Sequence, residues 1–173
     1  DLANALSTID VGRIVALPFG LPKAIPQMAD ADEVWAGITR NDDVRYSALV
    51  PNLRGAQRAL TAGFRDIEVV VSASDTHNRK NVNRSTEESL DEIAELIALA
   101  HDTGASVQVV VATAWGCPYE GDVPVERVLA VAGRAISDGA DAISFGDTTG
   151  MATPGRVTRL IGELRSAHPA TPV

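Results

Sequence analysis

At 173 residues the chain suits one domain, and 45% hydrophobic with 22% charged residues is ordinary globular usage, so it can bury a core and need not be disordered. A formal charge of −8, from 23 acidic against 15 basic residues, argues against nucleic acid or a membrane surface as the main partner, although a local basic site can still hold an anion. The single cysteine excludes an internal disulfide framework and fits a reducing cytoplasm, and no apolar run is long enough to span a membrane.

The chain opens on Asp1 in what reads as the end of a helix, so a fragment is expected. Arg13–Pro18 reads as a strand, followed by a helix around Asp32 to Thr39. Tyr46–Val50 is a second strand, and Pro51-Asn52 opens a helix through Leu60 that Gly63 stops. Ile67–Ser72 is a near-continuous apolar run, as in a sheet covered on both faces. The polar segment Ser72–Ser85 reads as a loop. Ser85 and Glu88 then form a capping box, with Leu90, Ile93, Ile97 and Ala100 at helical spacing before Gly104. Val107–Ala112 is the next strand, then a helix from Pro124 to Asp138 before Gly139, the strand Ala142–Phe145 and a helix from Pro154 to Ala167. Pro172-Val173 looks like a further strand beginning.

This βα repeat fits two architectures: a doubly wound sheet, or an incomplete piece of a (β/α)8 barrel, which needs roughly 250 residues. The turn Pro18-Phe19-Gly20-Leu21-Pro22 is not a Gly-rich phosphate turn, which tips the choice slightly towards the barrel. In either case the longer, polar connections lie at the carboxyl ends of the strands, where function is expected.

Four features there are candidates. Asp147 ends a strand beside Ser144, Thr148 and Thr149, where a carboxylate can orient a substrate hydroxyl or a base, or bind a metal through water, or simply hold the Thr148–Gly150 turn; position weighs the functional and the turn-forming readings equally. Arg79, Lys80 and Arg84 can form a local anion site, against the plainer reading of a solvated loop, which composition favours. Cys117 has no base near it in sequence and reads as a small buried residue, and Glu120 reads as an exposed loop acid rather than a proton donor. His77, His101 and His168 show no metal-ligand spacing; His77 alone lies on that face, and the other two end helices, where a cation suits the dipole, and read as structural.

Several motifs, in order and in register from Gly12 onward, carry a resemblance: Pro26-Gln27-Met28-Ala29-Asp30, Pro51-Asn52-Leu53-Arg54-Gly55, Lys80-Asn81-Val82-Asn83 with Ser85 and Glu88-Ser89, Gly116-Cys117-Pro118-Tyr119-Glu120-Gly121, and Gly146-Asp147-Thr148-Thr149-Gly150 through Thr153-Pro154-Gly155. Together they resemble the 3-hydroxy-3-methylglutaryl-CoA lyases, metal-dependent aldolase-like barrels. Gly-Asp-Thr-x-Gly is shared across that superfamily, whereas Cys-Pro-Tyr-Glu-Gly with the Lys-Asn loop points to the lyase branch.

The resemblance implies that residues 1–173 are one partial TIM-barrel domain, an incomplete (β/α)8 barrel holding strands two to five and the start of the next units. It implies cleavage of 3-hydroxy-3-methylglutaryl-CoA to acetyl-CoA and acetoacetate in the intact protein, in the cytoplasm and within leucine catabolism. The acyl-CoA is the partner, Mg2+ or Mn2+ the cofactor, and a homo-oligomer is compatible. By the same resemblance Asp147 is catalytic, and Ser144, Lys80 and Asn81 bind substrate. No metal ligand falls within this chain: the family's Arg-Asp pair belongs upstream of Asp1 and its His-x-His beyond Val173. A site glutamate of the family aligns with Val15, and its Thr-Ser pair with Leu17-Pro18. The 173 residues alone are therefore expected to be inactive. The alternatives are another aldolase or Claisen-type synthase of the superfamily, or an inactive barrel fragment.

Overall fold

Residues 2–9, 11–20 and 28–173 are described by the computed structural model. Pro26-Gln27 of the Pro26–Asp30 motif, and Leu21-Pro22 of the turn after the first strand, lie outside them. A short helix α1 (Leu2–Leu6) precedes the first strand. The valine-rich runs form the middle of a parallel sheet: β3 (Asp66–Ser72) and β4 (Ser106–Ala112) pair along their whole length, from Asp66 opposite Ser106 to Ser72 opposite Ala112. β2 (Arg45–Val50) and β1 (Arg13–Pro18) extend the sheet on one side and β5 (Ala142–Phe145) on the other, so that strand order follows chain order.

That order decides the architecture. A doubly wound sheet reverses its strand order at a switch point and carries helices on both faces. Here α3 (Leu53–Thr61), α5 (Thr86–Asp102), α6 (Val125–Ser137) and α7 (Pro154–Ala167) pack side by side in sequence, α3 on α5, α5 on α6 and α6 on α7, while α2 (Ala31–Gly37) covers β1. The strands alternate accordingly. Ile67, Val69, Val71, Val107, Val109 and Val111 are at most 2% exposed against the helices, and Asp66, Glu68, Gln108 and Ser144 point to the other face.

The sheet also curls. Arg13 on β1 pairs with Glu68 on β3 at 3.4 Å and hydrogen-bonds Gln108 on β4. On a flat sheet β1 and β4 lie about 14 Å apart, three strand spacings, so these side chains meet only across a concave face. The sheet is a run of barrel wall, with its polar side chains converging inside.

Outside β1 and β2 the core is aromatic. Trp35 stacks on Phe64 at 3.9 Å between ring centres, Phe19 meets Phe64 edge-on at 5.4 Å, and the Trp35 indole N–H donates to Ala62 O at 2.8 Å. Gly55 lets α3 close on this cluster, since a Cβ there would sit 2.7 Å from the Phe19 carbonyl oxygen. In β1 the pairing skips Ala16, Val15 facing Ser47 and Leu17 facing Ala48, which is a bulge. It turns Leu17 onto the helix side and leaves Val15 half exposed on the concave face.

Two expectations change. The Ser72–Ser85 segment is not a loop: Asp75–Val82 form the helix α4, with Ser74 as N-cap and Asn83 as a left-handed C-cap at φ 57°. Its sequence lacks an apolar stripe because it is held by polar contacts. The buried Asn78 amide accepts from Ser72 N at 3.0 Å and donates to Arg84 O, Ser85 O and Ser89 Oγ. Pro172-Val173 form no strand, although Pro172 O accepts from Ile143 N at 3.0 Å and so runs beside β5.

Candidate active site

Three connections meet at the carboxyl ends of β3, β4 and β5, and their ties centre on Thr113, just past β4. Thr113 is fully buried at φ 55°, a left-handed conformation that costs a β-branched residue about 1 kcal/mol or more. Its N–H donates to Thr148 Oγ1 at 2.9 Å, and its hydroxyl donates to Ala112 O while accepting from Ser74 N at 3.2 Å. One strained residue thereby locks the loops after β3 and β5 to β4. Sequence reading passed over it, because a threonine at the end of a valine strand gives no local signal of that conformation.

After β5 the chain turns on Asp147. Its two carboxylate oxygens accept from Met151 N at 2.9 Å and Ala152 N at 3.1 Å, with Gly150 at φ 72° between. The carboxylate therefore does form the turn, and it remains exposed at the strand end, able to accept further hydrogen bonds. Thr149 Oγ1 donates to Gly116 O at 3.2 Å, and Arg156 donates to Trp115 O and Met151 O. At Gly116 a Cβ would stand 2.1 Å from Met151 Sδ, so the glycine allows the two turns to touch. Below them Ser144, on the concave face of β5, accepts from Gln108 Nε2 at 2.9 Å.

The Cys117–Gly121 turn closes with paired backbone hydrogen bonds of 2.8 and 2.9 Å. Glu120 folds back beneath it, accepting from the Ser74 hydroxyl at 2.8 Å and Thr76 N at 3.0 Å, and pairing with Arg127 at 2.7 Å. The Ser74 hydroxyl above all, then Thr76 and Arg127, pull its carboxyl down to about 2 against the cost of desolvation. Such a group stays ionised and is no proton donor near neutrality. Ser74 gives its one proton to Glu120, so Cys117, 3.0 Å away and 2% exposed, meets Ser74 as a thiol donor. The cysteine is structural, as its sequence context suggested.

Of the three clustered cations, Arg79 pairs with Asp75 at 2.7 Å and Arg84 with Glu92. Lys80 instead lies over the exposed Tyr119 ring, 4.9 Å from its centre, with Asn81 exposed beside it. Lys80 and Asn81 thus sit on α4 beyond β3, two strands along the wall from β5, which carries Ser144 and leads into Asp147. They share the carboxyl rim with Asp147 without touching it. His77 Nδ1 is 2.6 Å from Ser72 Oγ, and His101 Nε2 is 2.9 Å from Asp141 Oδ2, joining α5 to the start of β5. Among the described residues, no three His, Cys, Asp or Glu side chains converge where a metal ion could be held.

A profile described as HMGL-like matches residues 1–173. Hydroxymethylglutaryl-CoA lyase YngG of Bacillus subtilis is 39% identical over 170 residues, which cover 98% of this chain and 57% of that protein. (R)-citramalyl-CoA lyase of Chloroflexus aurantiacus is also 39% identical, over 92% of this chain and 54% of its own length. An HMG-CoA lyase of Acinetobacter baumannii, solved with coenzyme A and 3-methylmalate, superposes with a TM-score of 0.91 at 38% identity, over 96% of this chain and 54% of that one. The chain thus spans a little over half the length of these relatives. Matched end to end, with its strands in barrel order and its motifs gathered on the carboxyl rim, it belongs to the HMGL-like family.

Proposed function

We propose that the intact protein is a carbon–carbon lyase that cleaves a 3-hydroxy-3-methylglutaryl-CoA-type thioester to acetyl-CoA and acetoacetate, in the cytoplasm and within leucine catabolism. The observation that carries this reading is the superposition of nearly the whole chain on a lyase solved with coenzyme A and a hydroxy acid. On this reading Asp147, held by two backbone N–H groups, presents its remaining lone pairs to the substrate hydroxyl and orients it for deprotonation. Ser144 donates to an acyl oxygen, where negative charge develops as the carbon–carbon bond breaks. Lys80 and Asn81 hold the CoA portion at the rim, the ammonium serving a phosphate. The described residues offer no ligand set for the Mg2+ or Mn2+ of the family, so no step assigned to this chain passes through a metal.

A second reading, a citramalyl-CoA-type substrate, is supported by equal identity to the two lyases. Assaying the intact protein against both thioesters separates the two. Acetoacetate release from 3-hydroxy-3-methylglutaryl-CoA, reduced about a hundredfold or more in Asp147→Asn, supports the first reading. Cleavage of citramalyl-CoA alone supports the second, and no cleavage of either overturns both.

A further inference from the structure

Beneath Ser144 runs a chain of hydrogen-bonding side chains that the proposed chemistry does not use. Glu68, Arg13 and Gln108 come from three different strands and meet on the concave face: Arg13 Nη2 lies 3.4 Å from Glu68 Oε2, and Arg13 Nη1 donates to Gln108 Oε1. Gln108 Nε2 in turn donates to Ser144 Oγ at 2.9 Å. The Glu68 side chain is 15% exposed and that of Arg13 27%, so water competes weakly for these groups.

The order of donors is fixed by chemistry. A guanidinium has only donors, so the Gln108 amide must turn its oxygen towards Arg13 and its NH2 group towards Ser144. A flipped amide would set N–H against N–H at Arg13 and cost Nη1 its acceptor while Nη2 stays with Glu68, a loss comparable to one broken hydrogen bond. Ser144 Oγ is therefore an acceptor on its lower side, and its single proton is free to point away from Gln108, towards the carboxyl end of the barrel.

We infer that Gln108, its orientation set by Arg13 and Glu68, is a positioning residue that makes Ser144 a hydrogen-bond donor to the acyl oxygen of the substrate. This rests on the reading that Ser144 meets substrate. It acts through the direction of one hydroxyl, so it alters turnover more than binding: the CoA portion is held elsewhere, at Lys80 and Asn81.

The test is a double-mutant cycle in the intact protein, measuring kcat and KM for the thioester it cleaves. Ser144→Ala is expected to lower kcat between about a hundredfold and a thousandfold, as loss of one transition-state donor does. Gln108→Met, which keeps the length and removes the amide, and Gln108→Glu, which turns an acceptor towards Ser144, should each lower kcat about tenfold with KM nearly unchanged. Neither should lower kcat further in the Ser144→Ala background, because the role is exerted only through that hydroxyl. Losses that multiply, or wild-type kcat in both Gln108 variants beside an impaired Ser144→Ala, overturn the inference and leave the role of Ser144 standing. A fully active Ser144→Ala overturns the role of Ser144, and the inference with it.

Discussion

The two halves of this barrel wall hold their carboxyl ends by different means. Beyond β3, β4 and β5 the loops are tied by side-chain hydrogen bonds, most of them to backbone: Thr113 to Thr148 and Ser74, Asp147 to its own turn, Asn78 to four partners, Glu120 to Ser74 and Thr76. Beyond β1 and β2 packing predominates, Phe19 and Trp35 against Phe64 with α3 drawn in at Gly55, and the few directed ties are the Asn52 cap on Gly55 N and the Arg58 bonds to Gly20 O and Asp32. Packing tolerates small shifts of any one ring, whereas a hydrogen bond is lost within an ångström. The half that carries Asp147, Ser144, Lys80 and Asn81 is the one whose geometry is pinned by direction. The other supplies stability and an apolar wall at Val15.

This contrast predicts which substitutions unfold the chain and which disorganise the rim. The largest effect is expected in the packed half. Phe64→Ala removes a ring that is 1% exposed and touches two other aromatics, and should cost about 4 kcal/mol, read as a lowered urea midpoint at unchanged slope. A loss under about 1 kcal/mol would show that the aromatic cluster does not hold this half. Next is Asn78→Ala. It strands Ser72 N and the Arg84 and Ser85 carbonyls, and should cost about 3 kcal/mol. The loss should appear first as rapid amide exchange in residues 75–82, because α4 has little apolar burial to fall back on. Uniform exchange across the sheet would mean that Asn78 serves the whole core instead.

How much was legible follows the same division. The strands and α5 announce themselves locally, by valine runs and by the Ser85–Glu88 box, which closes with both of its hydrogen bonds. The helix α4 was invisible because its stabilisation is tertiary: Asp75–Val82 is polar throughout, and Asn78 works only once Arg84, Ser85 and Ser89 are folded around it. Asp147 was legible by position, though its turn-forming role and its place on the rim come together in one carboxylate rather than as alternatives. Gln108 left a faint sign, a polar residue in a valine strand directly opposite Glu68 of its neighbour. Its partner Arg13, three strands away, could not be read without the curvature that brings them together. The architecture itself turned on strand order, which periodicity does not encode.

The smallest expected effect lies in the hydrogen-bonded half, and it depends on pH. The Glu120 carboxyl is held at about 2 in the folded chain against an ordinary value of 4.5, chiefly by the Ser74 hydroxyl. A carboxylate lowered by folding adds stability that is fully present above its unfolded value and disappears as pH falls through the folded one, here between 4.5 and about 2. With a quarter of the side chain open to solvent, screening limits the contribution to about 1 kcal/mol. Glu120→Gln keeps an oxygen for Ser74 and Thr76 but loses the charge facing Arg127. At pH 7 it should unfold at a slightly lower urea concentration than the wild type, and the two curves should converge as pH approaches 2. Other carboxylates also protonate in that range, so the difference between the two proteins carries the information, not either curve alone. A gap that persists undiminished at low pH would mean that Glu120 acts through shape, and that this half, like the other, is held by packing.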